Sequence, residues 1–119
     1  MDQENHISYI EFPTRDLERS KTFFQEAFNW SFKDYSPGYA SFKHAGIEGG
    51  FYQVESDTDI SKETVLVVLY SRNLETAQNK VRSAGGTITK KTFSFPGGKR
   101  FHFREPGGNK LAVWSQDHG

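Results

Sequence analysis

The 119 residues carry fifteen basic and fifteen acidic side chains, and 34% of them are hydrophobic. That length supports one ordinary domain, and the cancelling charges, with no block of one sign, speak against nucleic acid or an anionic membrane as partner. With no cysteine in the chain, disulfides, thiolate zinc sites and thiol nucleophiles are excluded together. The polar start "MDQENHIS" lacks a signal pattern, and the longest aliphatic run, "VLVVLY" at 65–70, is far too short to span a bilayer. A soluble, cytoplasmic protein is expected. Eleven Phe, five Tyr and two Trp imply that much of the buried area comes from rings.

In chain order, "HISYIEF" is rich in β-formers and reads as a strand. Asp16 is a good N-cap for a helix whose apolar period runs through Leu17, Ser20, Phe24, Ala27 and Phe28. Three strand-like runs follow, "WSFK", "YASFKHA" and "FYQVE". The chain then repeats this order. "TVLVVLY" is a strand apolar on both faces, and Asn73 caps a second helix through Leu74, Ala77, Val81 and Ala84 that stops at Gly85-Gly86. "TITKK", "KRFHFRE" and "KLAVWS" complete the set, and "SPG", "GIEGG", "FPGGK" and "EPGG" mark the reversals.

Sliding the chain by 57 residues sets Arg15 on Arg72, Asp16 on Asn73, Leu17 on Leu74, Glu18 on Glu75 and Ala27 on Ala84. "GYASFKHA" from Gly38 also resembles "GKRFHFRE" from Gly98, at an offset of sixty. The predicted fold is α+β: two βαβββ repeats, about 6–55 and 64–115, within one domain spanning 1–119. One copy alone leaves a sheet face open, so the two must pack, and two curled sheets side by side enclose a concave space suited to a small molecule.

The paired units, "HISYIEFPTRDLERSKTFFQEAFNW", "AGGTI" and the closing "FREPGGNKLAVW" resemble the vicinal oxygen chelate superfamily, which includes glyoxalases, bleomycin-resistance proteins and dioxygenases. In relatives the closing turn is usually Asp-Pro-x-Gly-Asn, and here it is Glu105-Pro106-Gly107-Gly108-Asn109. The resemblance implies a cup with four positions for His or Glu ligands to a divalent metal. Carried over, these are Tyr9, Leu66, Ala112 and one of Gly50, Tyr52 or Val54, none a carboxylate or imidazole. No metal and no other cofactor is therefore expected. The resemblance also implies a two-fold homodimer.

Tyr9, Glu11 and Pro13 alternate onto one face of the first strand, which the family turns into the cup. The family likewise directs His102 and Arg100 inward, with Val68, Tyr70, Ala112 and Trp114 as an aromatic-lined wall and Tyr52 beside them. Glu11 and His102 are the catalytic candidates, as general acid and base. Tyr9, Tyr52, Val68, Tyr70, Arg100, Ala112 and Trp114 are the ligand-binding candidates. The plainer alternative pairs Glu11 with Arg100 as an ion pair in the pocket wall. Burial and neighbouring charge pull the His102 pKa in opposite directions, so only a pH-dependent affinity is expected. His6, His44 and His118 are weaker candidates, and the Gly-rich turns are hairpins, because Phe93 stands where a phosphate loop needs glycine.

The expected function is metal-free binding of a small molecule of unknown identity. The competing reading is an enzyme related to lactoylglutathione lyase or the dioxygenases, working through Glu11 and His102 or through a metal.

Overall fold

The computed structural model describes residues 4, 5, 7–60 and 65–116, so His6 and His118 lie outside the described residues. The elements follow the expected order: β1 (Ile10–Thr14), α1 (Leu17–Phe28), β2 (Ser31–Ser36), β3 (Tyr39–Lys43), β4 (Gly49–Gln53), then β5 (Val67–Tyr70), α2 (Leu74–Ser83), β6 (Thr87–Phe95), β7 (Gly98–Arg104) and β8 (Lys110–Gln116). Each half makes one mixed sheet, ordered β1-β4-β3-β2 and β5-β8-β7-β6. These are the two βαβββ modules of an α+β fold. No described helix is long and apolar enough to cross a membrane.

Both helices start as their caps dictate. The Asp16 carboxylate accepts the Arg19 N–H at 3.1 Å, and the Asn73 side chain accepts that of Thr76 at 3.0 Å. The first helix ends at Asn29 in the left-handed region, and the second gives way to Gly85 with φ +100°. Two strands are shorter than their sequence patterns. β1 begins at Ile10 because its parallel partner β4 begins at Gly49, and β5 begins at Val67, opposite Leu111. Another strand is longer: β6 continues past "TITKK" to Phe95, kept in step with β7 by register shifts on either side of Lys90.

The repeat is not uniform. Ile10 and Val67 are equivalent at the 57-residue offset, yet Glu11 pairs with Gly50 while Val68 pairs with Ala112, so β4 and β8 are offset by 62. In β3 and β7 the buried pairs Ala40, Phe42 and Phe101, Phe103 correspond at an offset of 61. The similarity read at sixty is thus one residue out of register. In a strand that slip exchanges the two faces.

The helices cover one face of the sheets, and the core between them is aromatic. Phe23, Phe24, Phe51, Phe101 and Phe103 are fully buried. Phe23 and Phe28 of the first helix each sit 5.7 Å from Phe103 of the second sheet, which joins the two halves through ring contact.

The closing turn makes the other join. Glu105, only 1% exposed, accepts the Gly107 N–H at 2.7 Å, the Ser20 hydroxyl at 2.8 Å, and the side-chain and backbone N–H groups of Asn109 at 2.7 and 3.3 Å. Asn109 also donates to the Pro13 carbonyl at 2.7 Å, and the Arg15 N–H donates to Gly107 at 3.0 Å. Gly107 must lack a side chain here, since a Cβ would strike Thr14 Oγ1 and Ser20 Oγ. The second half thereby grips the first at its strand-to-helix junction.

Candidate functional site

The face away from the helices is open, and strand register arranges it in rows. In the first sheet Glu11, Gly50 and Ser41 are cross-strand neighbours, as are Pro13, Tyr52 and Tyr39. In the second, Val68, Ala112, His102 and Lys90 form one row, and Tyr70, Trp114, Arg100 and Phe93 the next. β5, apolar on both faces by sequence, turns only Val67 and Leu69 toward the core. Val68 and Tyr70 stay 41% and 49% exposed.

Between the free edges of β1 and β5 lies a cavity of about 890 Å³, lined by Tyr9, Glu11, Pro13, Tyr52, Leu66 and Val67 among others. At its margin the Tyr39 hydroxyl donates to Glu11 Oε2 at 3.0 Å and is also hydrogen-bonded to the Tyr9 hydroxyl. Burial, reinforced by those two partners, pushes the Tyr39 phenol well above the usual tyrosine range. The Tyr39 ring reaches Glu11 by lying over Gly50, where any Cβ would collide with it. Gly50→Ala is expected to destabilise the fold by about 1–3 kcal/mol through overpacking. It should also return the late-ionising tyrosine to the ordinary range, which urea unfolding and a spectrophotometric tyrosine titration would check. An unchanged titration would place the late-ionising phenol elsewhere.

On the second sheet the Arg100 guanidinium lies 5.3 Å from the Phe93 ring centre and 5.5 Å from that of Phe95. Lys90 Nζ also lies over the Phe93 ring, 4.4 Å from its centre, and Tyr70 meets Trp114 edge-on at 5.1 Å. Burial first, then the charges of Arg100 and Lys90, hold the His102 imidazole below its ordinary pKa. This resolves the contest left open by sequence in favour of neutral histidine. Arg100 Nε and His102 Nε2 are buried and have no hydrogen-bond partner.

The structure brings Tyr9, Glu11 and Tyr52 together at the cavity and Val68, Tyr70, Arg100, His102 and Trp114 together on the second sheet. Only the first group lines the described cavity. Arg100 and His102 belong to β7, two strands in from the β5 edge, or roughly 10 Å at ordinary strand spacing. Among the described residues no hydrogen bond or ion pair links Glu11 to His102 or Arg100. The pocket-wall ion pair is therefore absent, and the proposed acid and base stand apart. Ala112 has no exposed surface with which to touch a ligand. His44 follows β3 with φ 70°, its Nδ1 lying 3.0 Å from Ser31 Oγ.

Four contributors were missed. Tyr39 was hidden by the one-residue error in the β3–β7 comparison, since at the true offset it is the counterpart of Arg100. Lys90, Phe93 and Phe95 belong to the long β6, whose alternation through "TFSF" was the available signal.

The same equivalence identifies the second metal position as Gly50, the counterpart of Ala112. Tyr9, Gly50, Leu66 and Ala112 offer one phenol and no carboxylate or imidazole, a donor set that does not fit a divalent metal. Among the described residues no group of three or more His, Asp or Glu side chains converges as a metal site would require.

The family model for the Glyoxalase/Bleomycin resistance protein/Dioxygenase superfamily matches residues 6–113. No curated protein sequence matches the chain. Among solved structures, a glyoxalase-related enzyme from Fulvimarina pelagi is 18% identical, with TM-score 0.78 over 94% of this chain and 88% of that one. A glyoxalase/bleomycin resistance protein/dioxygenase family enzyme from Burkholderia phytofirmans PsJN is 18% identical, with TM-score 0.77 over 92% and 97%. TnmS3, an antibiotic binding protein from Streptomyces sp. CB03234, is 16% identical, with TM-score 0.70 over 98% and 100%.

Proposed function

The chain belongs to the Glyoxalase/Bleomycin resistance protein/Dioxygenase superfamily, and on that premise we propose that it binds a small, partly aromatic molecule on its open sheet face without a resident metal ion. One observation carries this reading: the family's metal positions hold Tyr9, Gly50, Leu66 and Ala112, and the ring of Tyr39 lies in the space that Gly50 leaves. A tyrosine–glutamate cluster thus stands at the family's reaction centre. Tyr52, Val68, Tyr70 and Trp114 nearby supply apolar surface on which a ligand could shed water. A shared fold with an antibiotic-binding protein is in keeping with sequestration, although fold alone does not carry function. The catalytic alternative through Glu11 and His102 is less favoured because, among the described residues, Glu11 is held by the Tyr39 hydroxyl and His102 Nε2 has no hydrogen-bond partner.

A metabolite library screened by thermal shift tests the binding. A ligand present at about a hundredfold over its Kd contributes about 2.7 kcal/mol, a shift of several degrees for a domain of this size. Elemental analysis of protein purified without chelator is expected to find substoichiometric zinc, nickel, manganese and iron. About one metal per chain, lost in Glu11→Gln, would overturn the metal-free reading.

A further inference from the structure

The overall charge balance conceals a segregation. None of β5, β6, β7 or β8 contains an acidic residue, whereas they hold Lys90, Lys91, Lys99, Arg100, Arg104 and Lys110. The first sheet is mixed, with Glu11 and Asp34 against Lys33 and Lys43. Strand alternation places Lys90, Arg100, His102, Arg104 and Lys110 all on the open face of the second sheet. Among the described residues, the ion pairs present involve Lys21 alone, so the lysines and arginines of this face have no carboxylate partner.

Arg100 is the focus of this face. Phe93 and Phe95 flank its guanidinium, and its Nε is shielded from water without an acceptor. A buried N–H without a partner is costly, and an anionic acceptor would satisfy it by a charge-assisted bond. His102 Nε2, one row away, is also buried without a partner, and in the tautomer that is protonated there it donates to the same acceptor. Arg100 is also the cross-strand neighbour of Trp114, which is in turn that of Tyr70. The strand spacing of roughly 4.8 Å is comparable to the distance between a ring centre and a carboxylate attached to that ring system.

We propose that the open face of the second sheet is an anion-recognition subsite, where Arg100, supported by Lys90 and His102, takes the acidic group of an aromatic carboxylate whose ring rests on Trp114 and Tyr70. This rests on the open face being a small-molecule site, and adds the ligand's class. A nucleic-acid strand would use the same chemistry, but it needs a continuous basic track. The neighbouring sheet, with two acids and two bases in its strands, does not continue one.

The test compares 2-naphthoate with its neutral isostere 2-naphthamide by calorimetry and by Trp114 fluorescence, with a single-stranded oligothymidylate as a third probe. The acid is expected to bind about tenfold tighter than the amide or better, and Arg100→Gln to abolish that preference while Arg100→Lys retains part of it. Lys90→Gln should narrow the preference without removing it, and circular dichroism confirms that each variant is folded. Equal binding of acid and amide, or an unchanged preference in Arg100→Gln, overturns the anion subsite and leaves the small-molecule reading standing. Binding of neither small probe in the millimolar range removes both, and tighter binding of the oligothymidylate replaces the aromatic acid with nucleic acid.

Discussion

Truncating Phe24 to alanine is expected to cost about 3–5 kcal/mol of folding free energy, a large share of what holds a domain of this size together. The ring is fully buried in α1 and stacks on Trp30 at 4.5 Å. It also meets Phe23 edge-on at 4.9 Å and Phe51 at 5.3 Å. Removing it leaves a cavity lined by rigid rings that cannot collapse inward. Its repeat counterpart, 57 residues on, is Val81, which is equally buried but far smaller. Val81→Ala should therefore cost clearly less. Urea unfolding of the two variants checks this, and equal losses would show that the aromatic layer is not what stabilises the first half.

That pairing also shows which parts of the molecule were legible in advance. Helix starts were readable because Asp16 and Asn73 act locally, on N–H groups three residues away. The order of the elements along the chain was readable from the repeat. Faces were harder. They depend on register, and the offset drifts from 57 to 61 and 62 as loops differ in length, so the comparison at sixty set Tyr39 against Lys99 instead of Arg100. Tyr39 was lost to that drift.

Other features depended on contacts distant in sequence. Glu11 and His102 both face the open side as expected, but whether they meet depends on how β5-β8-β7-β6 is set beside β1, which no local pattern encodes. The charge balance likewise misled, because composition averages over the mixed first sheet and the wholly basic second. The buried role of Glu105 was invisible for the same reason, since its partner Ser20 lies 85 residues away.

Glu105→Ala is expected to cost about 2–5 kcal/mol, since it would leave the Gly107 and Asn109 backbone N–H groups buried without an acceptor. Ser20 would keep its bond to Thr14, and the Asn109 side chain would keep Pro13. The loss should also depend on pH in an unusual sense. Burial, which outweighs the bonds from Gly107, Ser20 and Asn109, raises the carboxyl's pKa above the ordinary 4.5. The folded state then binds the proton more tightly than the unfolded chain, so the contribution of this group is full below 4.5 and is lost as pH rises through the raised folded value. Alanine has no such dependence. The gap between wild type and Glu105→Ala should accordingly be widest in acid and narrow toward neutrality, the reverse of a salt-bridged carboxylate. Urea unfolding of both proteins at several pH values across that range measures it. A gap that widened toward neutral pH would mean that the four donors, and not burial, dominate the group, and that the turn grips the first half with a carboxylate stabilised in its ionised form.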